Sequence, residues 1–155
     1  MRRIRNLILA ATFALGAAPA MAAEGMIVRA SASSAAVTLD RLEAAVTARG
    51  FVVFARLDHA AAAAAVGLAM PPATVLVFGN PRAGTPAFLQ QPTLAIDLPL
   101  RALVWQDAAG KVWLGYNAAA WLFGTIYPRH GLAVGADATA AAEAAFAAIA
   151  DEATR

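Results

Sequence analysis

The stretch Arg49-Gly-Phe-Val-Val-Phe-Ala-Arg-Leu-Asp58 decides the fold, because it marks a junction between a helix and a strand. Gly50 stands where a helix ends, and glycine takes the left-handed conformation of a C-cap without steric cost. The β-branched and aromatic residues that follow favour a strand. Strict alternation along this strand predicts one face made of Phe51, Val53, Ala55 and Leu57, and a second face made of Val52, Phe54, Arg56 and Asp58.

Regular elements extend outward from this junction on both sides. Upstream, we predict a strand over Met26 to Ala30 and a helix that is capped by Ser33-Ser34 and reaches Arg49. Downstream, an alanine-rich helix from His59 to Val66 ends at Gly67, because Pro71-Pro72 prevents its continuation. The next strand is predicted over residues 73–79.

The second half of the chain is predicted to be richer in turns. We expect a loop over residues 82–92 with a helical turn around residues 87–90, strand pieces over 95–99 and 102–106, and a hairpin at Asp107-Ala-Ala-Gly110. A terminal helix is expected to begin at Asp137. One crossover helix followed by a hairpin predicts the α+β class, a two-layer sandwich with a mixed or antiparallel sheet and helices on one face.

The first 22 residues are typical of a secretory signal peptide. Arg2, Arg3 and Arg5 precede an apolar stretch of about a dozen residues, and Ala20-Met-Ala22 has the small-residue pattern of a cleavage site. This stretch is shorter than the about 20 residues that a membrane-spanning helix needs. We therefore expect a mature single domain over residues 23–155, without a transmembrane segment, in the periplasm or secreted.

Charge and cysteine content narrow the function classes. The leader holds three of the 12 basic residues and none of the 10 acidic ones, so the mature chain has nine basic against ten acidic residues, a net charge near −1. This charge gives no reason to expect a nucleic-acid partner. The absence of cysteine excludes disulfides, thiolate metal ligands and a sulfur nucleophile, and no cofactor is expected.

One motif has the spacing of a phosphate-binding loop but lacks its chemistry. Gly79-Asn-Pro-Arg-Ala-Gly84-Thr85 follows a predicted strand, yet Thr85 occupies the position where that loop carries lysine, and Pro86 the Ser/Thr position. We therefore interpret the motif as a turn and not as a nucleotide site.

Polar residues near strand ends are the candidate ligand-binding residues. We expect such a cleft to be formed by the following residues: Asp58, His59, Asn80, Asp97, Arg101 and His130. Asp58 has a second interpretation as the N-cap of the helix that begins at His59. His59 and His130 with Asp58 would alternatively suit a metal-assisted or acid–base enzyme, although adjacent residues on an extended chain point in opposite directions.

The order of several short motifs resembles the domain of unknown function 302 family. These motifs are Gly50 to His59, Met70-Pro-Pro72, Val77-Phe-Gly-Asn-Pro81 and Asp97-Leu-Pro99. The resemblance implies a TATA-binding-protein-like β-α-β-sheet-α arrangement and a homodimer, with no established activity. Many members of that family carry cysteine where this chain has Gly79 and Leu100, so any thiol chemistry in the family does not carry over.

Three functions remain open from the sequence. The first is a non-catalytic module that binds an unidentified small molecule or protein partner, and the second is the enzyme that uses His59 and His130. The third is a structural dimer whose interface is the hairpin that carries Trp105 and Trp113. Both tryptophans are expected to be packing residues rather than ligand platforms.

Overall fold

A computed structural model describes residues 22–155. The predicted signal peptide and the start of its cleavage motif fall outside these described residues, apart from Ala22. Strands β1 (Met26–Ser31) and β2 (Val52–Asp58) flank helix α1 (Ala35–Ala48) in the sequence. Ser34 caps α1, and Gly50 has a φ of 78°, which confirms the predicted helix-to-strand junction.

Further elements alternate along the rest of the described chain. They are α2 (His59–Ala65), β3 (Ala73–Gly79), α3 (Pro81–Gln90), the 3₁₀ helix η1 (Pro92–Ile96), β4 (Leu100–Gln106), β5 (Val112–Asn117), α4 (Ala119–Trp121), a π-helical turn over Leu122–Ile126, α5 (Tyr127–Arg129) and α6 (Ala136–Thr154). The terminal helix was predicted to begin at Asp137, but it begins at Ala136 after the N-cap Gly135, and Asp137 lies in its first turn.

The five strands form one antiparallel sheet in the order β1-β5-β4-β3-β2. Helices α1 and α6 pack against each other and against one face of this sheet. The core lies between these two helices and the sheet. It includes Leu42 and Val46 of α1, Leu76 of β3, Leu114 of β5 and Ala153 of α6. This arrangement is the predicted two-layer α+β sandwich with helices on one face.

The predicted faces of β2 are wrong beyond Val53. Val53 pairs with Phe78, but Ala55 pairs with Val77, so one extra residue, Phe54, bulges out of the ladder. A bulge reverses the inside–outside alternation of the residues after it. Arg56 therefore lies on the helix face, where it forms ion pairs with Asp40 and Glu43 of α1.

Two predictions in the second half of the chain are also wrong. Residues 82–92 are not mainly a loop, since α3 runs over Pro81–Gln90 despite Gly84 and Pro86. The strand expected over residues 95–99 is replaced by η1, in which the fully buried Leu94 anchors the turn. Proline in the first position of a helix costs no hydrogen bond, and both of these elements begin with one.

The sheet face away from α1 and α6 carries apolar side chains. Trp105 and Trp113 stack there with ring centroids 6.4 Å apart, and Trp105 and Met26 occupy the space in front of Gly115. Strand pairing places the following residues on the same face, with Arg101 as the one charged residue among them: Val28, Ala55, Leu57, Val75, Val77, Arg101 and Leu103. We call this surface the tryptophan face.

Candidate functional site

The structure divides the predicted polar cleft between the two ends of the sheet. Because β2 and β3 are antiparallel, Asp58 at the end of β2 lies opposite Thr74 near the start of β3, while Asn80 follows the other end of β3. The six residue steps from Val52 to Asp58 span about 20 Å. Asp58 and His59 therefore do not converge with the remaining candidates.

At the first end, Asp58 caps α2. Its carboxylate Oδ1 accepts a hydrogen bond of 2.9 Å from the Ala61 amide. Asp58 and His59 are both exposed. This geometry matches the N-cap interpretation of Asp58, and it separates His59 from His130, which the enzyme alternative would need together.

At the second end, Asn80 caps α3. Its Oδ1 accepts hydrogen bonds from the amides of Arg82, at 3.0 Å, and Ala83, at 3.4 Å. The interpretation of the Gly79-to-Thr85 motif as a turn is therefore wrong: Gly79 ends β3, Asn80 is an N-cap, and residues 81–85 begin α3. The side chain of Asn80 fixes the start of α3 and so the position of one wall of the cavity described below.

Asp97 and His130 form the most tightly bonded polar cluster at this end. His130 Nε2 lies 2.6 Å from Asp97 Oδ2, and His130 Nδ1 lies 2.9 Å from the hydroxyl of Thr93. Arg129 adds a 3.2 Å contact to Asp97. The His130 side chain is only 6% exposed. The cluster joins η1 to the end of α5 and uses both imidazole nitrogens of His130 for that purpose.

Arg101 stands apart from this cluster. It is exposed and lies between Leu100 and Ala102, which pair with Phe78 and Tyr116 on the helix face. Since side chains alternate along a strand, the Arg101 side chain points to the opposite face of the sheet. Arg101 is nevertheless among the residues that line the inner cavity described below.

A broad apolar groove opens next to Asn80, with a volume of about 790 Å³. It lies among the end of β3, α3, η1, the π-helical turn and α6. Its walls are largely aromatic and aliphatic, and the aromatic side chains are Phe51, Phe54, Phe88, Phe123, Tyr127 and Phe146. Burial raises the pKa of Tyr127 above its usual range, which agrees with its apolar surroundings. We call this space the outer groove.

A second, smaller cavity of about 130 Å³ adjoins the outer groove, between the sheet and the helices. We call it the inner cavity. Asp97 and Tyr116 are among its lining residues. The two spaces have five lining residues in common: Leu98, Pro99, Leu100, Leu122 and Phe146. A molecule in the outer groove would therefore contact the wall of the inner cavity.

Tyr116 is the unusual residue of the inner cavity. It is 8% exposed, and its ring packs edge-on against Phe146 with centroids 6.3 Å apart. Its hydroxyl is buried and has no hydrogen-bond partner among the described residues. A buried polar group without a partner costs about 1–3 kcal/mol. Sequence reasoning missed Tyr116, because a tyrosine in an apolar strand gives no sign of whether its hydroxyl is bonded.

Within residues 22–155, no three histidine, aspartate or glutamate side chains are grouped so that they could hold a metal ion. Within the same residues, none of the helices combines the length and the apolar character needed to span a bilayer.

Fold and site together define a class: a small two-layer α+β domain with an apolar groove at one end of its sheet. The chain belongs to the family described as domain of unknown function DUF302, whose model matches residues 27–151. The resemblance read from the sequence motifs is therefore confirmed. The crystal structure of an uncharacterized conserved protein DUF302 from Bacillus stearothermophilus is similar in fold, with a TM-score of 0.69 at 21% identity, over 86% of this chain and 100% of that one.

Curated relatives carry a functional name. Two proteins named fluoride-specific ion channel FluC 1, from Brucella suis and Brucella abortus, are each 42% identical to this chain over 113 residues. The match covers 73% of this chain but only 43% and 40% of those relatives. The chain thus spans about two fifths of their length, and the channel name describes those proteins as wholes.

Proposed function

We propose that this protein is a non-catalytic module that binds a small apolar ligand in the outer groove. The size and lining of that groove carry the proposal. Ligand pockets in proteins measure about 300–1,000 Å³ and are lined mainly by apolar and aromatic side chains with a few polar groups. The outer groove, at about 790 Å³, lies in this range.

The polarity of the lining supports an uncharged ligand body. None of the described residues that line the outer groove carries a charge, and its side-chain polar groups are those of Asn80, Thr85 and Tyr127. The Asn80 oxygen is already used by the cap of α3. Burial of apolar area, at about 25 cal/mol per Å², would therefore supply most of the affinity.

Filling the groove tests this proposal. Ala142 lines it from α6, whereas Ala144 is exposed on the same helix and outside the lining. We expect Ala142→Phe to abolish the fluorescence enhancement of the apolar dye N-phenyl-1-naphthylamine. Ala144→Phe adds the same ring to the same helix and should leave dye binding unchanged.

Equal dye binding by both variants would contradict the proposal, as would no binding by the wild-type protein. The melting temperature of each variant shows whether it is folded, and a folded Ala145→Phe variant offers a second way to fill the same wall.

We further propose that the protein forms a homodimer through the tryptophan face. Five strands about 4.8 Å apart and about 20 Å long present about 500 Å² on each copy, so two copies would bury about 1,000 Å², the lower end for a specific interface. Tryptophan is enriched in the energetically dominant parts of interfaces. The 48% exposed Leu57 lies on the same face.

Sedimentation velocity tests the dimer. Leu103→Glu places a charge at the centre of the tryptophan face, and we expect it to yield a monomer. Leu68→Glu makes the same chemical change at a residue that is 66% exposed in the loop after α2, and should leave the dimer intact. A wild-type protein that is monomeric at millimolar concentration would refute the proposal.

We also propose that the mature protein works in the periplasm or outside the cell. The proposal rests on the basic, apolar and small-residue order of residues 1–22. Expression of the full chain should yield periplasmic protein whose N-terminus follows Ala22. Intact, cytoplasmic protein that retains Met1 would contradict it.

The Brucella relatives support a second candidate function, in which this type of domain works beside a membrane channel. The supporting observation is the 42% identity over 73% of the chain. The test uses the part of the Brucella suis protein outside the match, reconstituted in vesicles. We expect the present protein to float with those vesicles and not with empty ones, and equal flotation would exclude the candidate.

A further inference from the structure

We propose that the ligand of the outer groove is an amphiphile whose uncharged oxygen-bearing end enters the inner cavity and hydrogen-bonds the Tyr116 hydroxyl. The inference rests on the proposed binding function and adds the chemical class of the ligand. The inference rests on Tyr116, which lines the inner cavity and is more than nine tenths buried. Its hydroxyl has no hydrogen-bond partner among the described residues.

Buried hydroxyl groups in proteins are nearly always hydrogen-bonded, so one without a partner calls for an explanation. Tyr116 is paired on both sides within the sheet, with Ile27 of β1 and with Ala102 of β4. The hydroxyl at the tip of the side chain is the part left over. The hydroxyl itself is covered in this structure, so a ligand oxygen in the inner cavity would bond it after a small shift of the lining, since a tyrosine hydroxyl both donates and accepts.

The sizes of the two spaces suit an elongated molecule. A cavity of about 150 Å³ can hold a benzene-sized group, as an engineered cavity in another protein does. The inner cavity, at about 130 Å³, therefore accepts only a few heavy atoms, while the outer groove accepts a much larger body. The lining residues shared by the two spaces, among them Phe146, would contact the middle of such a molecule.

The charges around the inner cavity favour an uncharged end over a carboxylate. Asp97 lines this cavity and its side chain is 20% exposed. Arg101 also lines the cavity, but it is exposed, and the alternation along β4 directs its side chain to the opposite face of the sheet. An anionic end would approach the Asp97 carboxylate, which is already bonded to His130 and Arg129, and like charges at short range repel. An alcohol or carbonyl avoids this cost and still bonds Tyr116.

The test compares two ligands that differ in one oxygen. 1-Decanol and undecane have the same number of heavy atoms, and each is used to displace N-phenyl-1-naphthylamine from the wild-type protein and from Tyr116→Phe. We expect the substitution to weaken 1-decanol about tenfold, the loss typical of one buried hydrogen bond, and to leave undecane unchanged. In the wild type, decanoate at pH 8 should bind more weakly than 1-decanol.

The outcomes separate the two proposals. If both compounds displace the dye but Tyr116→Phe weakens neither, the ligand class is wrong and the groove function stands. If neither compound displaces it from the wild type, both proposals fail. Should Tyr116→Phe not fold, ¹³Cζ-tyrosine NMR of the wild type replaces it: the Tyr116 resonance must shift with 1-decanol and not with undecane, with Tyr127→Phe used for assignment.

Discussion

The two ends of the sheet start from similar residues and use them differently. Each end has a strand that runs directly into a helix, and each helix is capped by a polar side chain, Asp58 for α2 and Asn80 for α3. Beyond the caps the similarity stops. His59 is exposed next to Asp58, whereas His130 is buried between Asp97 and Thr93.

The difference teaches where a site can form on this fold. At the Asp58 end, the chain returns through a short loop, and the polar groups bond their own backbone or face water. At the Asn80 end, η1, the π-helical turn and α6 extend past the sheet and enclose the outer groove. A cavity therefore forms where elements project beyond the strands, and a polar residue at a strand end is not enough to make one.

The largest expected effect separates the two histidines. His130→Ala removes the link between η1 and α5 and deprives the largely buried Asp97 carboxylate of its closest partner. We expect a loss of about 2 kcal/mol in the free energy of unfolding, measured by urea denaturation. His59→Ala, at an exposed position, should change it by less than about 0.5 kcal/mol.

Equal losses for the two variants would show that His130 adds no more to stability than an exposed histidine. His130→Gln is the informative companion, since its amide can retain one of the two bonds, and we expect an intermediate loss.

A middle-sized effect tests whether the caps are equivalent. Asp58→Ala and Asn80→Ala each remove a side-chain oxygen that accepts from the first turn of a helix, so each should cost about 1 kcal/mol. Asn80→Ala should in addition weaken dye binding in the outer groove, because α3 forms one wall of it, whereas Asp58→Ala should not.

Asp58→Asn and Asn80→Asp keep a capping oxygen and serve as controls, with stabilities close to that of the wild type. A loss of dye binding in Asp58→Ala would mean that the two ends are coupled, contrary to the separation described above.

Much of the fold could be predicted from local signals. Gly50, Ser34 and the hairpin at Asp107 to Gly110 act within a few residues of themselves, so their effects are visible in the sequence. The bulge at Phe54 was not predictable in this way, because it depends on how β2 registers against β3. The helix α3 was missed since Gly84 and Pro86 are poor helix formers, and the cap at Asn80 prevails over them.

The candidate site was less accessible to sequence reasoning. Asp97 and His130 were singled out for their chemistry, but their pairing depends on a fold that joins residues 33 positions apart. Tyr116 and the aromatic residues of the outer groove have the composition of an ordinary core. Whether an apolar side chain lines a core or a groove is decided by the elements packed around it, and no local pattern reports that.

The smallest expected effect concerns the hairpin tip at the Asp58 end, where Asp107 Oδ2 accepts a 2.8 Å hydrogen bond from Trp113 Nε1. This bond, together with bonds from the Lys111 and Ala109 amides, lowers the pKa of Asp107. A carboxylate with a lowered pKa in the folded state stabilises the protein above the ordinary aspartate pKa, near 3.9, and loses that contribution as the pH falls through the lowered value. The difference in urea midpoint between wild type and Asp107→Asn should therefore be largest near neutral pH and shrink in acid.

The hydrogen bond from Trp113 is the main cause of the lowered Asp107 pKa. The losses of stability in Asp107→Asn and Trp113→Phe should therefore be less than additive in the double variant, and full additivity would show that the bond does not link the two residues.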